Sequence, residues 1–276
     1  MEPLDQLGGR RGFGMIPRAY IDAWRVQAPW RSDAKVEQDL IICRALVEVF
    51  SNSVLSKYLV FRGGTAMHKM FFSPPRRYSE DIDLVQIEGG PIGSIFDVLR
   101  ETLMPILGMP QRKQGPGVVT LTYRMMSEIP PVIPLKLKVE INSREHFAVL
   151  GAQKKPFAIT SPWFTGHCDI STFSLNELLA TKLRALYQRR KGRDLFDLWL
   201  GLTEGKADAQ QMISTFRKYM EFAGLKVSRA EFVENLAAKR QHPGFTSDLG
   251  DLLPVGAKYD FETGFAVVER EIVPRL

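Results

Sequence analysis

Three acidic residues among the first 140 have the spacing of a metal site. Asp81 and Asp83 flank Ile82 in a short apolar segment, so a strand there would place both carboxylates on one face. Two such carboxylates repel each other unless a cation lies between them, and a divalent metal ion is the usual one. Glu140, on the polar side of a second predicted strand, could be the third ligand. Three carboxylates can hold two divalent ions roughly 3.5–4 Å apart, which activate an attacking oxygen and stabilise a leaving pyrophosphate.

Each of these acids also has an ordinary structural explanation. Asp81 and Asp83 could be surface residues of an edge strand, although the apolar residues between and after them indicate that the opposite face is buried. Glu140 could form an ion pair with Lys136 or Lys138 on the same strand. Both explanations stay open at this point.

A pair of glycines precedes the acids. Gly63 and Gly64 lie between the apolar run Tyr58–Phe61 and a predicted helix. A Gly-Gly pair is common in tight turns, but it also lets a phosphate approach the backbone N–H groups at the start of a helix. The position between a buried strand and a helix, upstream of the two aspartates, favours the second interpretation. Ser79, two residues before Asp81, is interpreted as a local turn hydroxyl.

A dense group of cations follows in the second half, with no acid between Glu177 and Asp194. Its members are Lys182, Arg184, Arg189, Arg190, Lys191 and Arg193. They could be a solvated face near the end of a helix, where positive charge suits the helix dipole. Alternatively, Lys182, Arg189 and Arg193 lie on nearly one helical face, which would suit a triphosphate or an RNA backbone. Asp194 could cap the next helix, or it could orient Lys182 or an arginine.

Hydrophobic periodicity predicts the elements that position these residues. In the first part we predict helices over Val36–Phe50, Thr65–Phe72 and Ile95–Leu107, and strands over Tyr58–Phe61, Asp81–Ile87, Val118–Arg124 and Leu135–Asn142. Residues 1–33 are interpreted as an irregular arm with a short helix around Ala19–Gln27. In the second part we predict helices over Leu175–Arg190, Asp194–Leu202, Ala207–Ala223, Ser228–Gln241 and Phe261–Ile272.

This order of elements predicts an α/β (α+β) fold with a mixed sheet, followed by a helical C-terminal domain. The predicted domains are residues 1–160, an α/β domain with N-terminal helices, and residues 161–276, a helical bundle. At 276 residues the chain is long enough for both.

Composition narrows the function classes. The net charge of +6 and a pI near 9.3 suggest a polyanionic partner. Two cysteines, Cys43 and Cys168, are too few for a disulfide framework, and Cys43 lies in an apolar run that predicts a core position. No signal segment and no membrane-spanning stretch is present, so we expect a cytoplasmic protein that does not contact a membrane.

The glycine pair and the aspartates belong to a longer pattern. Phe61-Arg62-Gly63-Gly64-Thr65-Ala66, followed by Arg77-Tyr78-Ser79-Glu80-Asp81-Ile82-Asp83-Leu84, resembles the signature of AbiEii-type nucleotidyltransferase toxins. These belong to the DNA polymerase β-like nucleotidyltransferase superfamily and include the mycobacterial MenT toxins. The resemblance extends to Val36-Glu37-Gln38-Asp39, to Lys182-Leu183-Arg184-Ala185-Leu186 and to Arg193-Asp194-Leu195-Phe196-Asp197. It therefore covers roughly residues 36–200.

The resemblance implies a nucleotidyltransferase fold and transfer of a nucleotide from an NTP with Mg²⁺, in a bacterial or phage toxin–antitoxin or abortive-infection system. MenT-like relatives add nucleotides to the tRNA acceptor end, which blocks aminoacylation. A cognate antitoxin is the partner that such a system implies. The spacing from Thr65 to Asp81 is longer than in the shortest superfamily patterns, which matches the toxin branch.

Carried over by position, the resemblance implies phosphate contacts from Gly64 and Thr65, metal binding by Asp81 and Asp83, and a triphosphate contact from Lys182. Asp194 would support the site, and Glu140 matches the third carboxylate by strand position only. Together with the residue chemistry above, we predict catalytic residues Asp81, Asp83, Lys182 and Asp194, and metal ligands Asp81, Asp83 and Glu140. The predicted nucleotide-binding residues are Gly63, Gly64, Thr65, Ser79, Lys136 and Lys182. The predicted RNA-binding residues are Arg184, Arg189, Arg190, Lys191 and Arg193.

The leading hypothesis is therefore a Mg²⁺-dependent nucleotidyltransferase toxin, with a two-metal site, that transfers NMP from an NTP to RNA, with the tRNA 3′ acceptor end as the expected acceptor. A second hypothesis keeps the chemistry but makes a protein hydroxyl the acceptor. A third makes the chain a non-catalytic RNA- or partner-binding module with a relict site. The intact acids count against the third hypothesis, because a relict site has no physical need for crowded carboxylates.

Overall fold

The computed structural model of the protein describes residues 16–276, and the part of the predicted arm before residue 16 lies outside them. Helix α1 (Arg18–Trp24) follows Pro17, close to the helix predicted around Ala19–Gln27. Helix α2 (Asp33–Ser51) agrees with the prediction over Val36–Phe50. Ser32 begins α2 by accepting a hydrogen bond from the backbone N–H of Lys35. A short helix α3 (Ser53–Tyr58), capped by Asn52, leads into the sheet.

A seven-stranded mixed sheet forms the centre of the fold, which confirms the predicted fold class. Its strands are β1 (Leu59–Arg62), β2 (Ile82–Gln86), β3 (Gln111–Gly115), β4 (Val118–Met126), β5 (Pro134–Asn142), β6 (Ala152–Thr160) and β7 (Thr165–Phe173). They lie in the order β3-β4-β5-β2-β1-β7-β6. β1 pairs with β7, and β2 with β5, in parallel, while the other neighbours are antiparallel. The two parallel pairs place strands from distant parts of the chain at the centre.

A helix follows each of the central strands β1 and β2. Helix α4 (Gly63–Phe71) begins directly at the end of β1, with Arg62 as its N-cap, and the chain then returns to β2. Helix α5 (Ile92–Leu107) follows β2 and packs against α2. It ends at Gly108, whose positive φ of 72° favours glycine. Both helices agree with the predictions to within a few residues at each end.

Three strands were not predicted. Every residue of β3 is exposed, so β3 has no apolar alternation that would indicate a strand. β6 is the opposite edge of the sheet and contains Lys154, Lys155 and Pro156, which are residues that protect an edge strand from pairing with another chain. β7 alternates only weakly, because its first half is partly exposed.

The helical part follows the sheet, as predicted. It comprises α6 (Leu175–Gln188), α7 (Gly192–Thr203), α8 (Ala209–Phe222), α9 (Arg229–Arg240), α10 (Pro243–Thr246) and α11 (Phe261–Glu271), followed by a 3₁₀ turn over Val273–Arg275. Ser174 caps α6, and Ser228 and Glu231 form a capping box at the start of α9. α6 packs against α8, α7 and α4, so the helical part contacts the helix that follows β1.

The predicted boundary at residue 160 falls inside the β6–β7 hairpin. β7 pairs with β1 at Phe61 and Thr172, so residues after 160 still belong to the sheet. The change from strands to helices comes at Ser174. The division into two domains stays a prediction, with Ser174 as the position that the strand pairing favours.

One contiguous hydrophobic core connects the sheet to helices on both sides of this boundary. The predicted buried stripe of α2 is confirmed, since Leu40, Ala45, Leu46 and Val49 are each fully buried. Cys43 is also a core residue, as expected. None of the helices in residues 16–276 combines the length and the hydropathy that crossing a bilayer requires.

Candidate active site

The strand register brings two of the predicted acids to adjacent positions. β2 and β5 pair so that Asp83 lies opposite Glu140, and side chains of paired residues lie on the same face of a sheet. Arg62 on β1 lies opposite Asp83 from the other side. Thr120 on β4 pairs with Glu140, and its hydroxyl donates a 3.5 Å hydrogen bond to Glu140 Oε2. The centre of the sheet thus carries neighbouring carboxylates on two strands.

Asp81 lies in the loop just before β2, held by the motif around it. The Thr65 hydroxyl donates to the backbone carbonyl of Asp81 and lies 2.9 Å from Ser79 Oγ. Within residues 16–276, the carboxylates of Asp81 and Asp83 have no hydrogen-bond or ion-pair partner. Burying two carboxylates without partners costs free energy of folding. Such an arrangement is typical of a site that binds a cation.

The electrostatics of the acids point the same way. Burial raises the pKa of Asp81 to about 6, and the charge of Asp83 adds to this rise, while Lys138 and Arg193 oppose it. Burial and the charge of Asp83 also raise the pKa of Glu140. The charge of Asp83 therefore makes ionisation of Asp81 and of Glu140 more difficult, and a bound cation would relieve that repulsion.

A divalent cation fits the chemistry of this donor set. No three His, Cys, Asp or Glu side chains within residues 16–276 converge into a complete metal site. Mg²⁺ does not need one, since it usually keeps several waters and binds through one or two carboxylates together with substrate phosphates. Asp81 and Asp83 are the acids that fit this role, with Glu140 on the neighbouring strand as the third.

Gly63 is the glycine that the acids require. Its φ of +81° favours glycine, and a Cβ atom added there would lie 2.1 Å from Asp83 Oδ2. Its backbone is partly exposed at the start of α4 and is therefore open to a ligand.

Gly64 and Thr65, which we predicted to contact phosphate, are buried and packed. A Cβ atom at Gly64 would lie 2.6 Å from the guanidinium of Arg77 and 3.1 Å from Ser79 Oγ. The Gly64 side of the turn therefore makes room for Arg77. Thr65 is 1% exposed, and its hydroxyl is engaged with the loop that carries Asp81. In this structure the side chains of Thr65 and Ser79 position that loop.

Five charged residues, all buried except Arg189, whose side chain is 49% exposed, form what we term the buried ion cluster: Arg77, Lys182, Arg189, Asp194 and Asp197. Arg77 binds Asp197 through two hydrogen bonds of 2.7 and 2.6 Å. Lys182 Nζ lies 2.9 Å from Asp197 and 3.2 Å from Asp194. Arg189 holds the other side of Asp194 through bonds of 2.7 and 2.9 Å. The three cations outnumber the two carboxylates, so the cluster keeps an excess of positive charge.

The pKa values in the cluster keep its acids ionised. Burial alone would raise the pKa of Asp197, but the charges of Arg77 and Lys182 outweigh it and hold that pKa well below its ordinary value. The pKa of Asp194 is lowered in the same way by Lys182 and Arg189. Burial, aided by Arg77, lowers the pKa of His68 to about 4, so His68 is neutral, and its Nε2 lies 3.0 Å from Asp197.

The cluster faces the acids. The charge of Asp83 contributes to raising the pKa of Arg189, and the charge of Arg193 contributes to lowering the pKa of Asp81. Asp194 is fully buried and contacts both Lys182 and Arg189. These contacts agree with the interpretation that Asp194 orients the cations, which was the alternative to capping a helix. We did not predict from the sequence that Arg77 and Asp197 pair with each other in the ion cluster. The signals were present, since Arg77 lies in the quoted motif and Asp197 follows Asp194 by one helical turn.

The prediction that Lys182, Arg189 and Arg193 lie on one face of one helix was wrong. α6 ends at Gln188, because Arg189 has an extended backbone, and Arg193 belongs to α7. Gly192, which begins α7, packs so closely that a Cβ atom there would lie 2.2 Å from the carbonyl oxygen of Phe245. The side chains of Lys182 and Arg189 nevertheless meet at Asp194.

The predicted RNA-binding cations differ in whether an acidic side chain pairs with them. Arg184 is held by Glu145 through bonds of 2.5 and 3.2 Å with its side chain 14% exposed, so the structure does not present it to RNA. Lys191 and Arg193 both pair with Asp248, at 3.4 and 3.8 Å. Arg190 is exposed and has no partner among residues 16–276.

A cleft of about 330 Å³, which we term the Lys136 cleft, opens beside Asp81. It lies between the start of α2, the loop before β2 and the start of β5. Its polar lining includes Lys35, Gln38, Glu80, Asp81, Lys136 and Lys138. In the described part of the chain, neither Lys136 nor Lys138 forms an ion pair, so the alternative in which Glu140 pairs with one of them is not found.

A family model decides the assignment. The model of the nucleotidyl transferase AbiEii toxin, of type IV toxin–antitoxin systems, matches residues 44–267. The chain belongs to the AbiEii nucleotidyltransferase toxin family. The match contains the glycine turn, all three acids and the whole ion cluster, so these residues belong to the nucleotidyltransferase part of an AbiEii toxin. As a member of a type IV toxin–antitoxin family, the toxin has an antitoxin as its counterpart.

One solved structure, MenT4, shares the fold. MenT4, a nucleotidyltransferase toxin from Mycobacterium tuberculosis H37Rv, superposes with a TM-score of 0.69 at 19% identity, over 94% of this chain and 89% of MenT4. A structure from H. pylori, named provisionally as a nucleotidyltransferase, reaches a TM-score of 0.49 at 15% identity, over 85% of this chain and 91% of that one. An antigenic nucleotidyltransferase-like protein from Paracoccidioides brasiliensis reaches 0.37 at 20% identity, over 76% and 93%. These last two are too distant to support an argument. No curated protein matches the chain.

Proposed function

We propose that this AbiEii toxin transfers a nucleoside monophosphate from an NTP to the 3′ end of an RNA, with Mg²⁺ as the cofactor and tRNA as the acceptor. One observation carries the proposal. Asp81 and Asp83 are partly buried and have no partner among residues 16–276, and Glu140 lies opposite Asp83 in register. RNA and NTP as substrates would locate the reaction in the cytoplasm.

Asp81, Asp83 and Glu140 are the residues that would hold the metal ions. Divalent ions bound there would supply positive charge near the attacking oxygen and the leaving pyrophosphate. The 3′ hydroxyl of the acceptor would give its proton to solvent water and attack the α-phosphorus, while the bond from the α-phosphorus to the pyrophosphate oxygen breaks and pyrophosphate leaves.

The donor triphosphate is best supported on the side of Gly63 and the ion cluster. The partly exposed backbone of Gly63 begins helix α4, where N–H groups favour an anion. Arg189 lies near Asp83, and Asp194 holds its guanidinium in place. Lys182 is 7% exposed and contributes its charge through Asp194 and Asp197. The excess positive charge of the cluster would stabilise the pyrophosphate as it leaves.

A protein hydroxyl is the second candidate acceptor. Of the five cations that we predicted to bind RNA, only Arg190 is exposed and free of a partner among the described residues. Among those five residues, this leaves less free positive charge than binding of an RNA backbone to them would favour. The non-catalytic alternative is excluded by membership in a nucleotidyltransferase family together with intact acids.

The test is transfer of radioactivity from each of the four α-³²P-labelled NTPs to total RNA or to lysate protein. Asp81→Asn and Asp83→Asn should each lower labelling at least about 100-fold. Each removes a carboxylate that would hold a metal ion, and the charge of that ion would stabilise the transition state. Asp97→Asn, on the exposed face of α5, is the matched control and should keep activity. EDTA should stop labelling, and Mg²⁺ should restore it. Labelling that survives the double Asp81→Asn/Asp83→Asn substitution would overturn the assignment.

A further inference from the structure

We propose that the Lys136 cleft binds the last nucleotides of a single-stranded RNA 3′ end, with Lys136 and Lys138 as the contacts to its phosphates. This inference rests on the proposed function, because it assigns the acceptor to one side of the same site. It moves Lys136, which we first assigned to the nucleotide donor, to the acceptor.

The cleft has the size and position of a substrate site. Its volume of about 330 Å³ lies within the range of roughly 300–1,000 Å³ that is typical of ligand pockets. Asp81 lines it directly, so a strand bound in the cleft ends at a catalytic carboxylate. Ile133 and Leu135 supply apolar surface beside the lysines, and Ile133 is 41% exposed. A nucleotide offers the matching combination of a charged phosphate and an apolar base face.

The lysines of the cleft can pair with a phosphate, whereas most other cations around the site already pair with a carboxylate. Lys136 and Lys138 have no ion-pair partner in residues 16–276. By contrast, Glu145 holds Arg184, and Asp194 holds Arg189. An unpaired lysine beside a carboxylate site attracts a polyanion and gains most when a phosphate neutralises it.

The opposite side of the site, around Gly63 and Arg189, is the side proposed to bind the donor triphosphate. Asp83 contacts Gly63 and lies near Arg189, and neither Gly63 nor Arg189 lines the cleft. Asp81 instead faces the cleft and feels the charge of Lys138. In-line displacement requires the attacking hydroxyl and the leaving pyrophosphate on opposite sides of the α-phosphorus. A triphosphate on the Gly63 side therefore leaves the Lys136 cleft for the acceptor.

Equilibrium binding tests the cleft without any need for catalysis. The probe is a single-stranded RNA 12-mer with a free 3′ hydroxyl and a 5′ fluorophore, followed by fluorescence anisotropy. Lys136→Ala should weaken binding about five-fold at 0.1 M salt and lower the slope of log K against log salt by about 0.7, the loss of one phosphate contact. Lys136→Arg should bind as the wild type does. Lys218→Ala, on the exposed face of α8, is the control and should change neither value.

Steady-state kinetics distinguish binding of the RNA acceptor from binding of the NTP donor. Lys136→Ala should raise the KM for RNA about five-fold and leave the KM for NTP unchanged. A rise in the KM for NTP alone would show that the cleft holds the donor, and unchanged values for both would also overturn the inference. If wild-type protein labels only a protein acceptor, the inference fails together with the RNA assignment. If the wild type binds the RNA through Lys136 but transfers nothing, the proposed function fails and the cleft assignment stands.

Discussion

At the scale of single residues, the contact between Gly63 and Asp83 explains why the motif has a glycine where it does. The backbone at Gly63 has a φ of +81°, and the Asp83 carboxylate occupies the space of a side chain. The turn therefore serves two purposes, since it begins α4 and leaves room for an acid of the site. Sequence reasoning identified both residues from their spacing but not their contact, because a separation of twenty residues says nothing about which atoms meet.

Gly63→Ala should lower activity strongly, because its Cβ would displace the Asp83 carboxylate. Gly151→Ala is the matched control, since Gly151 has nearly the same φ of +80° but nothing within 4 Å of an added Cβ. Both changes should reduce the free energy of unfolding by about 1–2 kcal/mol through backbone strain. Only Gly63→Ala should abolish nucleotide transfer, which urea unfolding and the labelling assay would measure separately. Equal activity losses in the two variants would contradict the contact.

Asp81 should titrate unusually high in the metal-free protein. Burial and the charge of Asp83 raise its pKa to about 6, so the carboxyl is increasingly protonated as the pH falls below 6, and metal affinity should fall with it. Because its pKa is higher in the folded state than in the unfolded state, this group favours folding at low pH and loses that contribution as the pH rises through 6.

Lys138→Met should raise the pKa of Asp81 further, because the positive charge of Lys138 lowers it. Carboxyl ¹³C NMR of the metal-free protein would follow the titration directly. Lys136→Met is the control, since Lys136 is not among the groups that shift Asp81. An unchanged Asp81 titration in Lys138→Met would show that this lysine does not face the acid.

At the scale of elements, the site depends on strands that pair across the chain. Asp83 and Glu140 meet because β2 pairs in parallel with β5, and alternation in β5 was enough to predict which of its residues share a face. The edge strands β3 and β6 could not be predicted in this way, because their side chains face solvent and carry no apolar period. The break between α6 and α7 was missed for a different reason. It is stabilised by packing of Gly192 against Phe245, which is a tertiary contact.

The buried ion cluster should be a main support of the contact between the helical part and the loop before β2. Asp197→Ala should lower the free energy of unfolding by about 3–5 kcal/mol, because it leaves Arg77 and Lys182 charged and buried with one partner fewer. Asp97→Ala, which removes the exposed ion pair with Arg100, should cost less than about 1 kcal/mol. Denaturant unfolding followed by circular dichroism would measure both.

The effect of Asp197→Ala should depend on pH with a defined sign. The pKa of Asp197 is held well below its ordinary value, so the group stabilises the folded state above about pH 4 and loses that contribution as the pH falls through its folded pKa. The difference in stability between wild type and Asp197→Ala should therefore shrink in acid. A constant difference from pH 7 down to pH 3 would argue that the carboxylate is not ion-paired.

At the scale of the whole molecule, sheet and helices are expected to behave as one cooperative unit. The core is contiguous across Ser174, and the ion cluster joins the loop at Arg77 to α6 and α7. Composition predicted the two regions but not their coupling, since the partners are far apart in sequence.

Calorimetry should therefore show one unfolding transition, with equal calorimetric and van't Hoff enthalpies. Two resolved transitions would instead support independent domains with a boundary near Ser174. Asp197→Ala should lower the midpoint of the single transition, and a variant that separates it into two would identify the cluster as the coupling element.

The pairing of Arg77 with Asp197, across 120 residues, also bears on how the toxin is made. While a ribosome is still translating the chain, Arg77 emerges long before its carboxylate, and β1 before its parallel partner β7. The loop before β2 thus lacks its support until residue 197 has been released, because contacts of such separation form late. An aborted or nicked polypeptide would carry the aspartates without the scaffold that positions them. A chain released before residue 197 is therefore expected to transfer no nucleotide.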